Sequence, residues 1–140
     1  MIKFITGAKG SGKTKWLIDS ANTEYKAGNG NIAFIDVDDD HIFSLDYNVR
    51  LINVTEYTIK SVASLYGFLC GLMAMDYDLE KIYVDSAYKI VDFKDEELVR
   101  IFNDLNKISD ERETEIFINL DKLTEEMPES LREHCVEASL

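Results

Sequence analysis

Residues 7–14 read Gly7-Ala8-Lys9-Gly10-Ser11-Gly12-Lys13-Thr14, a GxxxxGK[ST] string. It follows the apolar run Ile2-Lys3-Phe4-Ile5 and opens a helical pattern in which Leu17, Ile18, Ala21 and Tyr25 share one side. Strand, glycine loop and helix in that order is the context in which such a string has a physical use. Small residues let the loop wrap until successive backbone N–H groups converge as an anion nest. The following helix adds its free N–H groups and the positive end of its dipole. The reading predicts phosphate binding by Gly7, Lys9, Gly10, Ser11, Gly12, Lys13 and Thr14. Lys13 would reach the β- and γ-phosphates of a nucleotide, and the Thr14 hydroxyl would ligate Mg²⁺.

Working outward, four more short runs alternate with helical patterns: Ile32–Val37, Val49–Val54, Lys81–Asp85 and Glu115–Leu120. They are rich in Ile, Val, Phe and Tyr, often on consecutive positions, as strands covered on both faces are. The first helix should stop at the turn signal Gly28-Asn29-Gly30. Val62, Leu65, Leu69 and Leu72 form a helical stripe between the third and fourth runs, and Leu98, Ile101, Phe102, Leu105 and Ile108 another between the fourth and fifth. Gly67 and Gly71 on the former predict close helix packing. A last helix is expected from Pro128, packing through Leu131, Cys135 and Ala138. The expectation is one α/β domain over residues 1–140, with about five mainly parallel strands and helices on both faces.

Apolar residues make up 46% and charged residues 30% of the 140-residue chain, a globular balance that needs no disulfide or metal to support a core. Cys70 and Cys135 form no CxxC pair and read as free thiols on apolar helix faces in a reducing compartment. The opening residues are too short for a signal peptide, and no apolar run approaches membrane-spanning length, so a cytoplasmic protein is expected. The net charge is −12, and residues 71–140 carry 8 basic against 19 acidic groups. That half would repel a phosphate backbone, which argues against nucleic-acid binding. It reads as a solvated surface or as a docking face for a basic protein partner.

Ile82-Tyr83-Val84-Asp85 is an apolar strand ending in a carboxylate suited to holding magnesium. Asp36, Asp38, Asp39 and Asp40 cluster after the second run. Asp38 has two readings: a carboxylate that orients attacking water, or a polar loop residue in an Asx turn. His41 and His134 have no partners at ligand spacing, so a zinc site is not expected. Trp16 reads as a core anchor.

These motifs resemble the RecA-like ATPases among the P-loop NTPases. Residues 7–14 match the family's Walker A loop, and Val84-Asp85-Ser86 its Walker B element. Ala33–Asp38 is similar to the strand carrying a catalytic glutamate, with Asp38 at that position. Phe117-Ile118-Asn119 is similar to the strand carrying a phosphate sensor. The resemblance implies that the fifth strand lies between the first and fourth, and that Asn119 stands near the γ-phosphate. It gives Lys13, Asp38 and Asn119 catalytic roles and Thr14 and Asp85 the Mg²⁺. The chain differs in having Leu120 where the family has a sensor glutamine, and it lacks the DNA-binding segments. It also resembles small stand-alone bacterial ATP-binding proteins, some labelled as twitching-motility proteins.

The sequence therefore predicts a Mg-ATP-binding protein, either a slow or partner-stimulated ATPase that switches with its nucleotide or an ATP-binding interaction module with little hydrolysis. A small-molecule kinase is a lesser alternative, because no arginine-rich lid segment is present.

Overall fold

The computed structural model describes residues 1–28 and 30–138. The five apolar runs form β1 (Ile2–Thr6), β2 (Asn31–Asp36), β3 (Arg50–Asn53), β4 (Leu79–Val84) and β5 (Glu115–Asn119). Between them lie α1 (Lys13–Lys26), α2 (Val62–Met75) and α3 (Asp95–Arg112). A sixth strand, β6 (Cys135–Glu137), follows near the end. All six join one sheet in the order β3-β2-β4-β5-β1-β6, and every pairing is parallel. β5 separates β1 from β4, as the family resemblance implied.

The period-2 geometry of the strands sorts their side chains into two cores. Ile2 and Phe4, Ala33 and Ile35, Ile82 and Val84, and Ile116 and Ile118 point to one face, where Leu65, Leu69, Leu98, Ile101 and Leu105 of α2 and α3 cover them. Ile5, Ile32, Phe34, Tyr83 and Phe117 point to the other, where Leu17, Ile18 and Ala21 of α1 close over them. Each leucine or isoleucine fully removed from water contributes about 1.5–3 kcal/mol, so the sheet is held from both sides. Helix boundaries follow local chemistry. Ser61 and Ser64 form a reciprocal capping box at the start of α2. Asp95, Glu96 and Glu97 complement the dipole in the first turn of α3, with Arg112 in its last.

The chain end departs from expectation. Pro128 begins a 3₁₀ turn over Glu129–His134 instead of an α-helix, and the backbone then extends into β6. Phe4, Ile5 and Thr6 pair with Cys135, Val136 and Glu137, and Ala138 N–H donates to the Thr6 carbonyl at 2.9 Å. The open edge of a central strand offers more backbone hydrogen bonds than a short isolated helix could keep, and it wins. Leu131 is buried as expected, but Cys135 lies on a strand rather than on a helix face. Both cysteines are free and half-buried.

Two smaller expectations also change. The buried stripe of α2 runs Val62, Leu65, Leu69 and Met73, with Leu72 only partly covered. Gly67 and Gly71 do not mark close packing: among the described residues, no atom beyond the local helix backbone lies within 4 Å of a Cβ built at either. The turn after α1 includes Asn29, which lies outside the described residues. Among the described residues no helix is long and apolar enough to cross a membrane.

Candidate functional site

Six parallel strands place all their carboxyl ends along one edge of the sheet, the edge where open α/β sheets bind ligands. The glycine loop leaves β1 there, Asp36 ends β2, Asp85 follows β4, and Asn119 ends β5. The polar residues that close these apolar strands are buried: Asp36, Asp85 and Asn119 are each 1% exposed.

The loop's shape depends on glycine. Gly7, Gly10 and Gly12 hold φ of 143°, 79° and 95°, values that side chains disfavour. Gly7 is also crowded, since a Cβ there would stand 2.5 Å from Ser11 Oγ and 3.1 Å from the Ala138 carbonyl oxygen. Gly7 N–H donates to the Lys122 carbonyl at 2.9 Å and Ser11 N–H to the Ala8 carbonyl at 3.0 Å, which fix the two ends of the loop. Gly12 then caps α1. Lys13 is buried, and its ammonium donates to the Gly7 carbonyl at 2.7 Å and the Ala8 carbonyl at 3.1 Å.

The charge pattern at this helix start is unusual. The positive end of a helix dipole favours carboxylates in the first turn. Here the first turn of α1 has no acidic residue and carries Lys13 and Lys15. A cleft of about 510 Å³ opens over it, lined by Lys9, Gly10, Gly12, Lys13, Thr14 and Lys15, with Tyr88, Lys89, Asn119 and Asp121 opposite. Four lysines and one aspartate converge there in a chain of net charge −12. Cations stacked on a positive helix end repel one another, and a polyanion in the cleft would relieve that repulsion.

Below the lysines lies a buried hydrogen-bond network. Thr14 Oγ1 donates to Asp85 Oδ1 at 3.2 Å, and Ser86 Oγ donates to the same oxygen at 3.3 Å. Asn119 Nδ2 donates to it as well, while Asn119 Oδ1 accepts the Ser86 N–H at 2.9 Å. Ser86 holds a left-handed conformation, φ 61° and ψ 15°, at a cost of about 1–2 kcal/mol. That turn places its N–H on Asn119. Asp85 Oδ2 and Ser11 Oγ are buried with no hydrogen-bond partner among the described residues.

The structure thus brings Lys9, Gly10, Gly12, Lys13, Thr14 and Asn119 to one cleft, with Asp85 beneath Thr14 and with Gly7 and Ser11 shaping the loop behind. Asp38 lies outside the cleft lining and accepts the Asp40 N–H at 2.9 Å, the hydrogen bond of an Asx turn. A carboxylate that does stand beside Asp85 is Asp36. One ligand-type atom from each of Asp36, His41 and Asp85 lies within 4.8 Å of the others. Burial pushes the Asp36 carboxyl up to about 7, against the Val37 N–H bond that lowers it; Asp85 and Asp38 raise it further and His41 lowers it. Asp36 Oδ2 has no hydrogen-bond partner among the described residues.

Sequence reading missed the pairing of Asp36 with Asp85 and the place of His41 beside them. One signal was present: Asp36, Asp85 and Asn119 each end an apolar run, and polar residues at the carboxyl ends of buried parallel strands share an edge. His41 left no such signal, because it lies in the turn after β2 and Asp85 reaches it from another strand. Lys15, Tyr88, Lys89 and Asp121 were also not singled out. Trp16 is partly buried against the core of the α1 face, its ring 5.7 Å from that of Phe117, as a core anchor should be. Arg132 is engaged with the Met127 and Glu125 carbonyls and Arg112 with the Tyr77 ring, and among the described residues no arginine lines the cleft. No protein-family model matches the chain, and no curated protein matches its sequence.

Proposed function

We propose that this chain is a RecA-like P-loop protein that binds Mg-ATP and acts as a slow or partner-stimulated ATPase, changing state with its nucleotide. The observation that carries the reading is the meeting of the lysine-lined glycine loop with the Thr14–Asp85–Asn119 network at one cleft. The loop amides and the α1 amino end bind the phosphates, and Lys13 exchanges its carbonyl partners for phosphate oxygens. Lys9, Lys15 and Lys89 add long-range attraction. Tyr88, on the opposite wall, is positioned to bound the nucleoside side of the cleft.

The donor set fits magnesium. Thr14 supplies a hydroxyl and Asp85 a carboxylate whose Oδ2 is buried without a partner. Thr14 and Asp85 would hold the ion, which when bound neutralises charge on the terminal phosphates. Asn119, which lines the cleft, orients the Asp85 carboxylate. Asp38, half-buried beyond β2, is the carboxylate proposed to orient water. With no arginine in the cleft, full turnover would draw a positive charge from a partner. The acidic second half of the chain is the proposed docking face for that protein, in the cytoplasm.

One observation favours the quieter alternative, an ATP-binding module that scarcely hydrolyses. Ser86 follows Asp85 where many ATPases have a glutamate, and the Asn119 amide is committed to Asp85 and Ser86. Calorimetric titration with Mg-ATP tests the common core of both readings. Micromolar binding that Lys13→Ala abolishes is expected; absence of binding by the wild type overturns them. Single-turnover hydrolysis then separates the two.

A further inference from the structure

We propose that Asp36, His41 and Asp85 form a binding site for a late divalent ion of the first transition row, such as Co²⁺, Ni²⁺ or Zn²⁺, which loads without nucleotide. The site touches the proposed nucleotide site through Asp85 but uses neither Lys13 nor Thr14, and the inference does not rest on ATP binding.

Two chain segments converge on it. Asp36 comes from the end of β2, His41 from the turn that follows, and Asp85 from beyond β4, the strand paired with β2. Their ligand atoms lie within 4.8 Å of one another, close enough for one ion to reach all three with small side-chain adjustment. Backbone geometry supports the approach, because Asp85 N–H donates to the Ile35 carbonyl at 2.8 Å, locking the two strand ends together.

The second observation is independent of that proximity. Asp36 Oδ2 and Asp85 Oδ2 are both buried, on residues 1% exposed, and neither has a hydrogen-bond partner among the described residues. Two adjacent buried carboxylates with unpaired oxygens are costly for a fold to keep. A hydrogen-bond donor or a cation would satisfy them, and the neighbouring side chain is an imidazole, itself a metal ligand. Two carboxylates also match the charge of a divalent ion. The remaining oxygens are already directed elsewhere: Asp36 Oδ1 accepts the Val37 N–H at 2.7 Å, and Asp85 Oδ1 accepts from Thr14, Ser86 and Asn119. Those bonds hold both carboxylates in orientation while their second oxygens stay free, as outer partners do in metal sites.

The ligand set selects the ion class. Magnesium takes oxygen ligands in a near-ideal octahedron and keeps several waters. Imidazole suits zinc, iron, cobalt and nickel, and mixed nitrogen and carboxylate sites favour the later divalent ions. His41 therefore distinguishes this site from an all-oxygen magnesium site.

Co²⁺ titration of the nucleotide-free, chelator-treated chain tests the proposal through the visible absorption of bound cobalt. One Co²⁺ per chain is expected, displaced by stoichiometric Zn²⁺ and not by millimolar Mg²⁺. His41→Ala and Asp36→Asn should each weaken binding at least tenfold, and His41→Gln, which preserves size, should behave as His41→Ala. His134→Ala and Lys13→Ala should leave it unchanged. His41 lies on a turn, so its variants should fold, and unchanged circular dichroism confirms that they do. Absence of a one-to-one cobalt complex, retention of cobalt by His41→Ala, or displacement by Mg²⁺ would overturn the proposal. Cobalt binding by a wild type that takes no Mg-ATP would remove the nucleotide reading and leave this one standing.

Discussion

Asn119 holds the Asp85 carboxylate: its Nδ2 donates to Asp85 Oδ1 while its own Oδ1 accepts the N–H of the next residue, Ser86, at 2.9 Å. The contact joins the ends of β4 and β5 at a buried point. Asn119→Ala should destabilise the fold by about 1–3 kcal/mol, because it leaves the Ser86 N–H and Asp85 Oδ1 short of a buried partner. Asn119→Asp should cost more, by setting a second carboxylate against Asp85. Urea denaturation measures both, and equal stabilities of the two variants would contradict the role assigned to the amide.

The Thr14 hydroxyl reaches the same carboxylate oxygen at 3.2 Å. If Thr14 and Asp85 hold the ion of Mg-ATP, Thr14→Ala should weaken Mg-ATP binding about tenfold, or about 1.4 kcal/mol. Binding of ATP in EDTA should change little, and Thr14→Ser should stay near wild type. Calorimetry with and without magnesium separates this outcome from general damage to the loop.

Gly7 and Gly10 share left-handed backbone but differ in surroundings. A methyl at Gly7 would meet Ser11 Oγ at 2.5 Å and a backbone carbonyl at 3.1 Å, whereas no atom lies within 4 Å of one at Gly10. Gly10→Ala should cost only its conformational strain, about 1–2 kcal/mol. Gly7→Ala adds the clash and should cost about 2–4 kcal/mol. Thermal unfolding should rank them in that order.

Tyr83 titrates in the core. Its ring stacks on Phe117 with centroids 4.9 Å apart, and its phenol shares a 2.8 Å hydrogen bond with Ser20. Burial pushes the phenol up from 10.0 to about 12; the Ser20 bond opposes this, and Glu24 and Glu115 reinforce it. The folded value lies above the unfolded one, so the unfolded chain loses the proton first. Stability from this group is fully present below about pH 10 and is lost as pH rises toward about 12, at most about 2–3 kcal/mol. Tyr83→Phe should lower stability at neutral pH by about 0.5–1.5 kcal/mol and flatten the alkaline decline. Melting curves from pH 8 to pH 11.5 check both effects.

The parallel α/β architecture was legible because it rests on local physics. Five apolar runs separated by helical stripes admit few arrangements once each strand must be covered on both faces. The glycine loop was equally legible, since its spacing, its position after a strand and the helical pattern it opens all lie within one short segment. The same local signals misplaced the chain end: Pro128 and the Leu131, Cys135 and Ala138 spacing look helical, and only the unpaired edge of β1 decides for a strand. The site divides in the same way. Thr14, Asp85 and Asn119 could be named in sequence because each sits at a recognisable element boundary. Which carboxylate faces Asp85 could not, because Asp36 and Asp38 differ by two positions in one polar cluster. The tertiary structure buries the first and leaves the second in a turn. His41 gains its partners only when β4 pairs beside β2. Sequence pattern determined which elements form and what the loop is built to hold, since those follow from neighbours along the chain. The company each buried charge keeps was decided by strand order, which no local pattern carries.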